Sequence, residues 1–180
     1  MLGLVGAALE RRDVHVTSQR VVDVRVEPGI SRDEGGDDEW QHVEAAVLAA
    51  DLLVLGTPIW LGHPSSIAQR VLERLNALNG ETDELGRPLC SDRVALVAVV
   101  GNEDGAHHVG AELFQGLNDI GFTLGGNAMT YWVGEAMGDV DFGDLDEVPV
   151  TVRSTTETMV RHAVHLAGVL RHAPLPAPEP

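Results

Sequence analysis

The chain has 180 residues and a formal net charge of −16, and its twelve basic residues are all arginines. This length predicts one domain with a sizeable hydrophobic core. The negative charge argues against nucleic acid or an anionic membrane as a partner, because few groups would neutralise phosphates. The absence of lysine excludes a Walker-type phosphate loop, a Schiff-base mechanism and a receiver-domain site.

The number of cysteines and the first residues of the chain indicate the cellular compartment in which the protein is expected. Cys90 is the only cysteine, so no intramolecular disulfide can form, which suits a reducing cytoplasm. Because Cys90 follows a polar stretch, we expect a surface thiol without a nucleophilic role. The first residues are apolar, but they are too few to span a membrane and lack the basic leader of a signal peptide. We therefore expect a cytoplasmic protein.

The first third of the chain predicts helices and strands in alternation. Val14–Val26 predicts a strand with an irregular continuation. A capping box at Asp38–Gln41 precedes apolar residues at helical spacing and predicts a helix. The apolar run Leu52–Leu55 predicts a strand buried on both faces, and we expect it to end at Gly56-Thr57-Pro58.

The rest of the chain continues the alternation with a helix, a strand, a helix, a strand and a last helix. We expect them at Ser66–Leu78, Val94–Val100, Val109–Ile120, Phe122–Met129 and from about Pro149 to Leu170. A capping box begins the first of these helices, and a glycine ends the second. Residues 173–180 are rich in proline and predict an extended, loose tail, which leaves residues 1–172 as a single domain.

Alternating strands and helices predict an α/β domain with a mostly parallel sheet, which binds ligands at the carboxyl ends of its strands. We expect three loops at that edge, formed by residues 56–64, 101–108 and 131–138. Glycines in these loops let the backbone approach a ligand closely, and tryptophans offer flat apolar faces. Pro58 stiffens its loop. The combination suits a planar heterocycle rich in hydrogen-bond acceptors.

The segments TPIWLGHPSS (57–66), VVGNEDGAHHV (99–109) and YWVGEAMG (131–138), in this order and spacing, resemble the flavodoxin-like NAD(P)H-dependent FMN reductase family. The resemblance implies a flavodoxin-like three-layer αβα sandwich that binds FMN and uses NADH or NADPH as co-substrate. It also implies a homodimer that passes electrons to a small molecule such as a quinone or free flavin.

The resemblance places the isoalloxazine ring of FMN against the backbone of the first two segments. It implies no catalytic residue, since flavin carries the redox chemistry itself. The cofactor-binding candidates are Thr57, Pro58, Ile59, Trp60, Leu61, Gly62, Gly101, Asn102, Glu103, Asp104, Gly105 and His108.

The sequence departs from the family pattern at its start. Family members begin with a central strand and a Ser/Thr-rich loop that binds the FMN phosphate, whereas this chain opens on what resembles the first helix, Leu2–Glu10. The first strand and its loop, about a dozen residues, are therefore expected to be missing. Either the true start lies upstream of Met1, or the protein is truncated and binds FMN weakly or not at all.

The sequence also fits two functions other than that of an oxidoreductase. The acidic composition also fits a flavodoxin-type electron carrier, and the absent phosphate loop fits a truncated non-catalytic module. Trp60 fits a flavin neighbour and a dimer contact equally well.

Two short polar motifs lie in or next to the second loop, a pair of histidines and a pair of acidic residues. Adjacent His107 and His108 point about 100° apart on a helix, and no carboxylate or cysteine spacing completes a site, so no metal is predicted. Asp104 is expected to cap a helix. Acidic groups beside the flavin, Glu103 among them, would lower its reduction potential.

Overall fold

The computed structural model describes residues 1–179, in which five α-helices and four β-strands are found. The helices are α1 Leu2–Glu10, α2 Trp40–Ala49, α3 Ser66–Leu75, α4 Ala106–Asp119 and α5 Val150–His172. The strands are β1 Leu52–Trp60, β2 His63–Pro64, β3 Val94–Gly101 and β4 Met129–Val133. Short 3-10 turns lie at Val21–Asp23, Asn76–Leu78 and Phe142–Asp144. None of the helices in residues 1–179 combines the length and the apolar character needed to cross a membrane.

The strands form one sheet in the order β2-β1-β3-β4. Strands β1, β3 and β4 are parallel, with Leu52–Pro58 of β1 paired with Val94–Val100 of β3. Strand β2 turns back on the end of β1, where Trp60 pairs with His63. Because parallel strands end at the same edge of a sheet, the segments that follow β1, β3 and β4 all lie at its carboxyl edge.

Strand β3 lies at the centre of the core because both of its faces are covered. The alternate residues that begin at Val94 pack with α1 and α5, and those that begin at Ala95 pack with α2, α3 and α4. A strand buried on both faces reads as a continuous apolar run, which is why the sequence predicts it well. The three-layer αβα arrangement with a parallel sheet is confirmed.

The prediction of a strand within Val14–Val26 is wrong, since this segment contains a 3-10 turn and no strand. Its polar backbone groups find partners outside the sheet. The N–H of Arg25 donates to the Glu39 carboxylate at 2.9 Å, and the N–H of Glu39 donates to the carbonyl of Arg25 at 2.7 Å. At Arg25, one hydrogen bond to a side chain and one to the backbone of the same residue, Glu39, thus replace those of a strand ladder.

Strand β1 runs further than the sequence predicts. Instead of stopping at Leu55, it continues through Gly56-Thr57-Pro58, and Pro58 pairs with Val100 in the sheet register. Proline has no N–H to donate, but it is tolerated where one side of the strand needs no donor, as on an edge strand. Of the expected loop 56–64, residues 56–60 therefore belong to β1 and residues 63–64 to β2, and only residues 61–62 form the hairpin turn.

The last strand is also displaced from its predicted position. The sequence predicts it at Phe122–Met129, but β4 occupies Met129–Val133, and the earlier segment makes only an isolated bridge between Thr123 and Val94. The turn around Gly126 and Asn127, whose φ is 58°, delays the pairing. Residues 131–133 therefore belong to the strand and not to the loop that follows it.

Helix capping differs from prediction at three places. The cap of α3 is Ser65, whose hydroxyl accepts from the N–H of Ala68 at 3.2 Å, one residue before the predicted start. The cap position of α4 is Gly105 and not Asp104, whose carboxylate accepts from the N–H of Gly105. The cap position of α2 is Glu39, whose side chain makes no cap bond, although the carboxylate of the predicted cap residue Asp38 still accepts from the N–H of Trp40 at 3.2 Å.

Asp38 also contacts Arg74 of α3, and the two side chains form a fully buried ion pair. The two groups are joined by two hydrogen bonds of 3.0 and 2.7 Å, and Arg74 also donates to the carbonyls of Glu27 and Ser31. The guanidinium holds the pKa of Asp38 far below its usual range. The pair ties the long polar segment before α2 to the face of α3.

The expectation that Cys90 is a surface thiol is wrong. Cys90 is fully buried, and burial raises the pKa of its thiol to about 11. The tail is less loose than predicted at Leu175, whose N–H donates to Asp92 at 2.9 Å and whose carbonyl accepts from Arg87 at 3.2 Å. Pro180 lies outside the described residues.

Candidate functional site

The carboxyl edge of the sheet brings together the first two predicted loops. The β1–β2 hairpin turns through Leu61 and Gly62, both with positive φ (52° and 80°), as a tight two-residue hairpin requires. The N–H of Leu61 donates to the Glu103 carboxylate at 3.1 Å. A Cβ added to Gly105 would lie only 2.9 Å from the Cα of Gly62. The hairpin tip therefore rests directly on the segment that leads into α4.

The third predicted loop joins the same edge through the second. The N–H of Gly134 donates to the carbonyl of Gly101 at 2.8 Å, and the side-chain amide of Asn102 donates to the carbonyl of Gly138 at 3.2 Å. The three segments thus form one continuous surface, as the sequence predicts.

The side chains of several candidate residues form hydrogen bonds or packing contacts within the loops themselves. The hydroxyl of Thr57 accepts from the N–H of Ser65 at 3.0 Å and donates to the carbonyl of Pro58 at 2.9 Å. Ile59 is buried and fills the space that a Cβ of Gly101 would occupy. Glycine at position 101 is therefore needed for packing within the protein, and only the backbone of these residues is left to face a ligand.

Other groups at this edge have no partner. The backbone N–H groups of Glu103 and Asp104 make no hydrogen bond to any of residues 1–179. The side-chain carbonyl oxygen of Asn102 is buried and likewise accepts none from the described chain. A buried acceptor without a donor costs about 1–3 kcal/mol, and unpaired polar groups of this kind call for an explanation.

Apolar side chains are unusually exposed at the same edge. Trp60 is 62% exposed, Leu61 89% and Met137, in the loop after β4, 97%. Exposed large apolar residues grouped in one region mark a surface that binds a ligand or another protein. Unpaired amides beside exposed apolar groups fit a planar heterocycle with acceptor atoms.

His108, the last of the candidates, has a different setting. Its Nε2 lies 2.6 Å from Glu112 Oε1, one turn further along α4, and its ring packs edge-on against His63. His107 turns the other way and packs against Tyr131. The sequence-based statement that no carboxylate completes a site with these histidines therefore overlooked Glu112, although the four-residue spacing from His108 could have revealed it.

The sequence profile of the family described as NADPH-dependent FMN reductase matches residues 1–136. This is well over half of the chain, and the protein belongs to that family. The family assignment made from the three sequence segments is confirmed.

Two curated relatives match the chain over much of its length. It is 34% identical over 171 residues to a protein of Mycobacterium bovis named divalent metal cation transporter MntH, covering 91% of this chain and 25% of that protein. It is 35% identical over 142 residues to 8-demethyl-8-aminoriboflavin-5′-phosphate synthase of Streptomyces davaonensis, covering 77% of this chain and 54% of that protein. The chain thus spans about a quarter of one relative and about half of the other.

Solved structures share the fold. RosB with bound intermediate 8-demethyl-8-formylriboflavin-5′-phosphate superposes with a TM-score of 0.85 at 27% identity, covering 97% of this chain and 73% of RosB. A flavodoxin, WrbA-like protein from Agrobacterium tumefaciens superposes with a TM-score of 0.51 at 15% identity, covering 71% of this chain and 73% of that protein. The flavodoxin-like fold is confirmed.

Proposed function

We propose that this protein binds FMN at the carboxyl edge of its sheet and uses NADH or NADPH to pass reducing equivalents to a small acceptor such as a quinone or free flavin. The observation that carries the proposal is the meeting of the three loops at one edge, in a chain that belongs to the FMN reductase family. The flavin phosphate derivative bound to RosB, which is 27% identical, supports a flavin as the ligand.

The ring of FMN would lie against the backbone of Thr57–Gly62 and Gly101–Gly105. The amides of Glu103 and Asp104 donate to no group of residues 1–179, so they can donate to the acceptor atoms of the ring in exchange for their hydrogen bonds to water. Trp60 offers its exposed face as an apolar wall. We retain His108 as a candidate contact for the cofactor or the nicotinamide.

The phosphate group of FMN would lie at the start of α1. The side chain of Leu2 packs on Gly56, one residue before Thr57, so this helix end lies beside β1. No side chain caps the helix, and the free amides and dipole of a helix N-terminus favour a phosphate.

Bound FMN supplies the redox chemistry, and the residues of the chain hold and tune it. Glu103 is fixed by its hydrogen bond from Leu61, so a carboxylate lies beside the proposed ring position. A negative charge there disfavours an added negative charge on the ring. No acid or base from the protein is assigned, and the homodimer and the cytoplasmic location are part of the same proposal.

The test is to titrate the purified chain with FMN, following flavin fluorescence, and then to add NADPH without oxygen. We expect saturable binding at one FMN per chain and bleaching of the flavin absorption by NADPH. Binding without bleaching by either nicotinamide would favour a flavodoxin-type electron carrier. Absence of binding would contradict the proposal.

A second candidate function treats the flavin as the substrate. It is favoured by two of the similar proteins, a synthase of an aminoriboflavin phosphate and RosB with a bound formylriboflavin phosphate. Incubation of the protein with FMN, oxygen as the oxidant and an amino acid as the amine donor, followed by mass spectrometry of the flavin, separates the two functions. An oxidoreductase returns FMN with its mass unchanged, whereas a flavin-modifying enzyme does not.

A further inference from the structure

Three potential metal ligands meet where the β1–β2 hairpin touches α4. His63 Nδ1 lies 2.9 Å from Glu112 Oε1, and His108 Nε2 lies 2.6 Å from the same oxygen. The three ligand atoms all lie within 4.8 Å of one another. We propose that His63, His108 and Glu112 bind a divalent transition-metal ion of the zinc class. The site shares His108 with the candidate cofactor contacts, but the proposal rests on the geometry of these three side chains and does not depend on flavin binding.

The fold explains why these three side chains converge. His108 and Glu112 are four residues apart on α4 and therefore lie on one face of the helix. His63 comes from the hairpin, directly after the turn at Gly62. The close approach of Gly62 to Gly105 fixes the hairpin against the start of α4. The ligands are thus supplied by two elements whose relative position is already set.

The types of ligand atom indicate which metal ions the site would bind. Two imidazole nitrogens and one carboxylate oxygen are the ligands that zinc uses in sites with three protein ligands and an open fourth position. Imidazole suits Zn²⁺, Cu²⁺, Ni²⁺ and Fe²⁺, whereas Mg²⁺ and Ca²⁺ take oxygen ligands. The fourth position would be open to water or a small ligand.

The present distances are close to those a metal needs. Zinc–ligand bonds of about 2.1 Å in a tetrahedral arrangement separate the ligand atoms by about 3.4 Å. The observed contacts of 2.9 and 2.6 Å would each have to lengthen by about 0.5–0.8 Å. The side chains of His63 and His108 are 61% and 57% exposed, so they are free to make this adjustment.

The surroundings favour a cation. His108 and Glu112 line a groove between α3 and α4 in which Glu73 adds a second carboxylate. The chain as a whole carries a net charge of −16, which raises the local concentration of cations. A bound metal would join the hairpin that carries Trp60 to α4, and so would hold the proposed flavin edge more rigidly.

The proposal is tested by titrating the full chain with Zn²⁺ in an isothermal calorimeter. We expect one zinc per chain with a micromolar or lower Kd, and a rise in Tm of about 5 °C at a hundredfold excess over Kd. His63→Ala and Glu112→Gln should each weaken binding by about 100-fold or more, because each removes one of three ligands. Circular dichroism without zinc should show that both variants remain folded.

The matched control is His107→Ala, which removes the adjacent histidine whose ring packs on Tyr131 outside the cluster. This variant should bind zinc as the wild-type chain does. The proposal is overturned if wild-type protein binds no zinc, or if His63→Ala and Glu112→Gln bind it as tightly as His107→Ala. Either result would identify the three side chains as a surface hydrogen-bond cluster only.

Discussion

Replacement of Gly105 by alanine should damage both the fold and the candidate flavin edge. Gly105 has φ +126°, a conformation that residues with a side chain rarely adopt, and forcing one into it costs about 1–3 kcal/mol. The new Cβ would also lie 2.9 Å from Gly62 Cα and 3.0 Å from its carbonyl oxygen. Because backbone atoms cannot turn away as a flexible side chain does, overpacking adds about 1–3 kcal/mol.

The sum of these two terms, about 2–6 kcal/mol, is measurable by urea denaturation and should lower Tm by about 5 °C or more. We also expect weaker FMN binding in a fluorescence titration, because the hairpin tip must move away from the loop before α4. Gly126→Ala is the matched control, since no atom lies within 4 Å of its added Cβ and its φ is not in the positive range. Equal stability and equal FMN affinity in the two variants would refute this account of the edge.

Four further predictions concern groups whose environments the structure defines. Arg74→Met should destabilise the protein by about 3–5 kcal/mol, because it leaves a buried carboxylate without its charged partner. The control Asp23→Asn, which breaks an exposed pair, should cost about 0–1 kcal/mol. Equal decreases in the free energy of unfolding, measured by urea denaturation, would contradict the buried pair. The pKa of Asp38 is lowered in the folded protein. The stability that its carboxylate contributes is therefore complete above its unfolded pKa of about 3.9 and is lost as the pH falls below that value. In Asp38→Asn, the free energy of unfolding should decrease less steeply as the pH is lowered through this range. Cys90, whose pKa is raised to about 11 by burial, should resist iodoacetamide at pH 8 until urea unfolds the chain, and rapid native alkylation would show that the thiol is accessible. Glu103→Gln should raise the midpoint potential of bound FMN in a potentiometric titration, and an unchanged potential would remove that carboxylate from the ring's surroundings.

The sequence predicts best those features that depend on neighbouring residues. Strand β3 is found at Val94–Gly101, almost as predicted, because burial on both faces leaves a continuous apolar run. Helices α3 and α5 also show in the local spacing of apolar residues. The carboxyl-edge loops follow from the alternation of these elements, since parallel strands must end together.

The features that depend on contacts between distant residues could not be predicted in this way. Asp38 resembles a helix cap locally, but its partner Arg74 lies 36 positions away and is brought to it only when α3 packs. His63 and Glu112 are 49 positions apart and meet only because the hairpin rests on α4. Strand β4 is displaced because the register against Val97–Gly101, and not local propensity, fixes where pairing begins.

The central claim is that FMN binds at the carboxyl edge of the sheet. The most direct test is to add FMN to ¹⁵N-labelled protein and to map the backbone amide shifts by NMR. The account predicts shifts concentrated in residues 57–62 and 101–105, with the amides of Glu103 and Asp104 among the largest because they are free to bond. Shifts confined to another surface, or no shifts at saturating FMN, would contradict it.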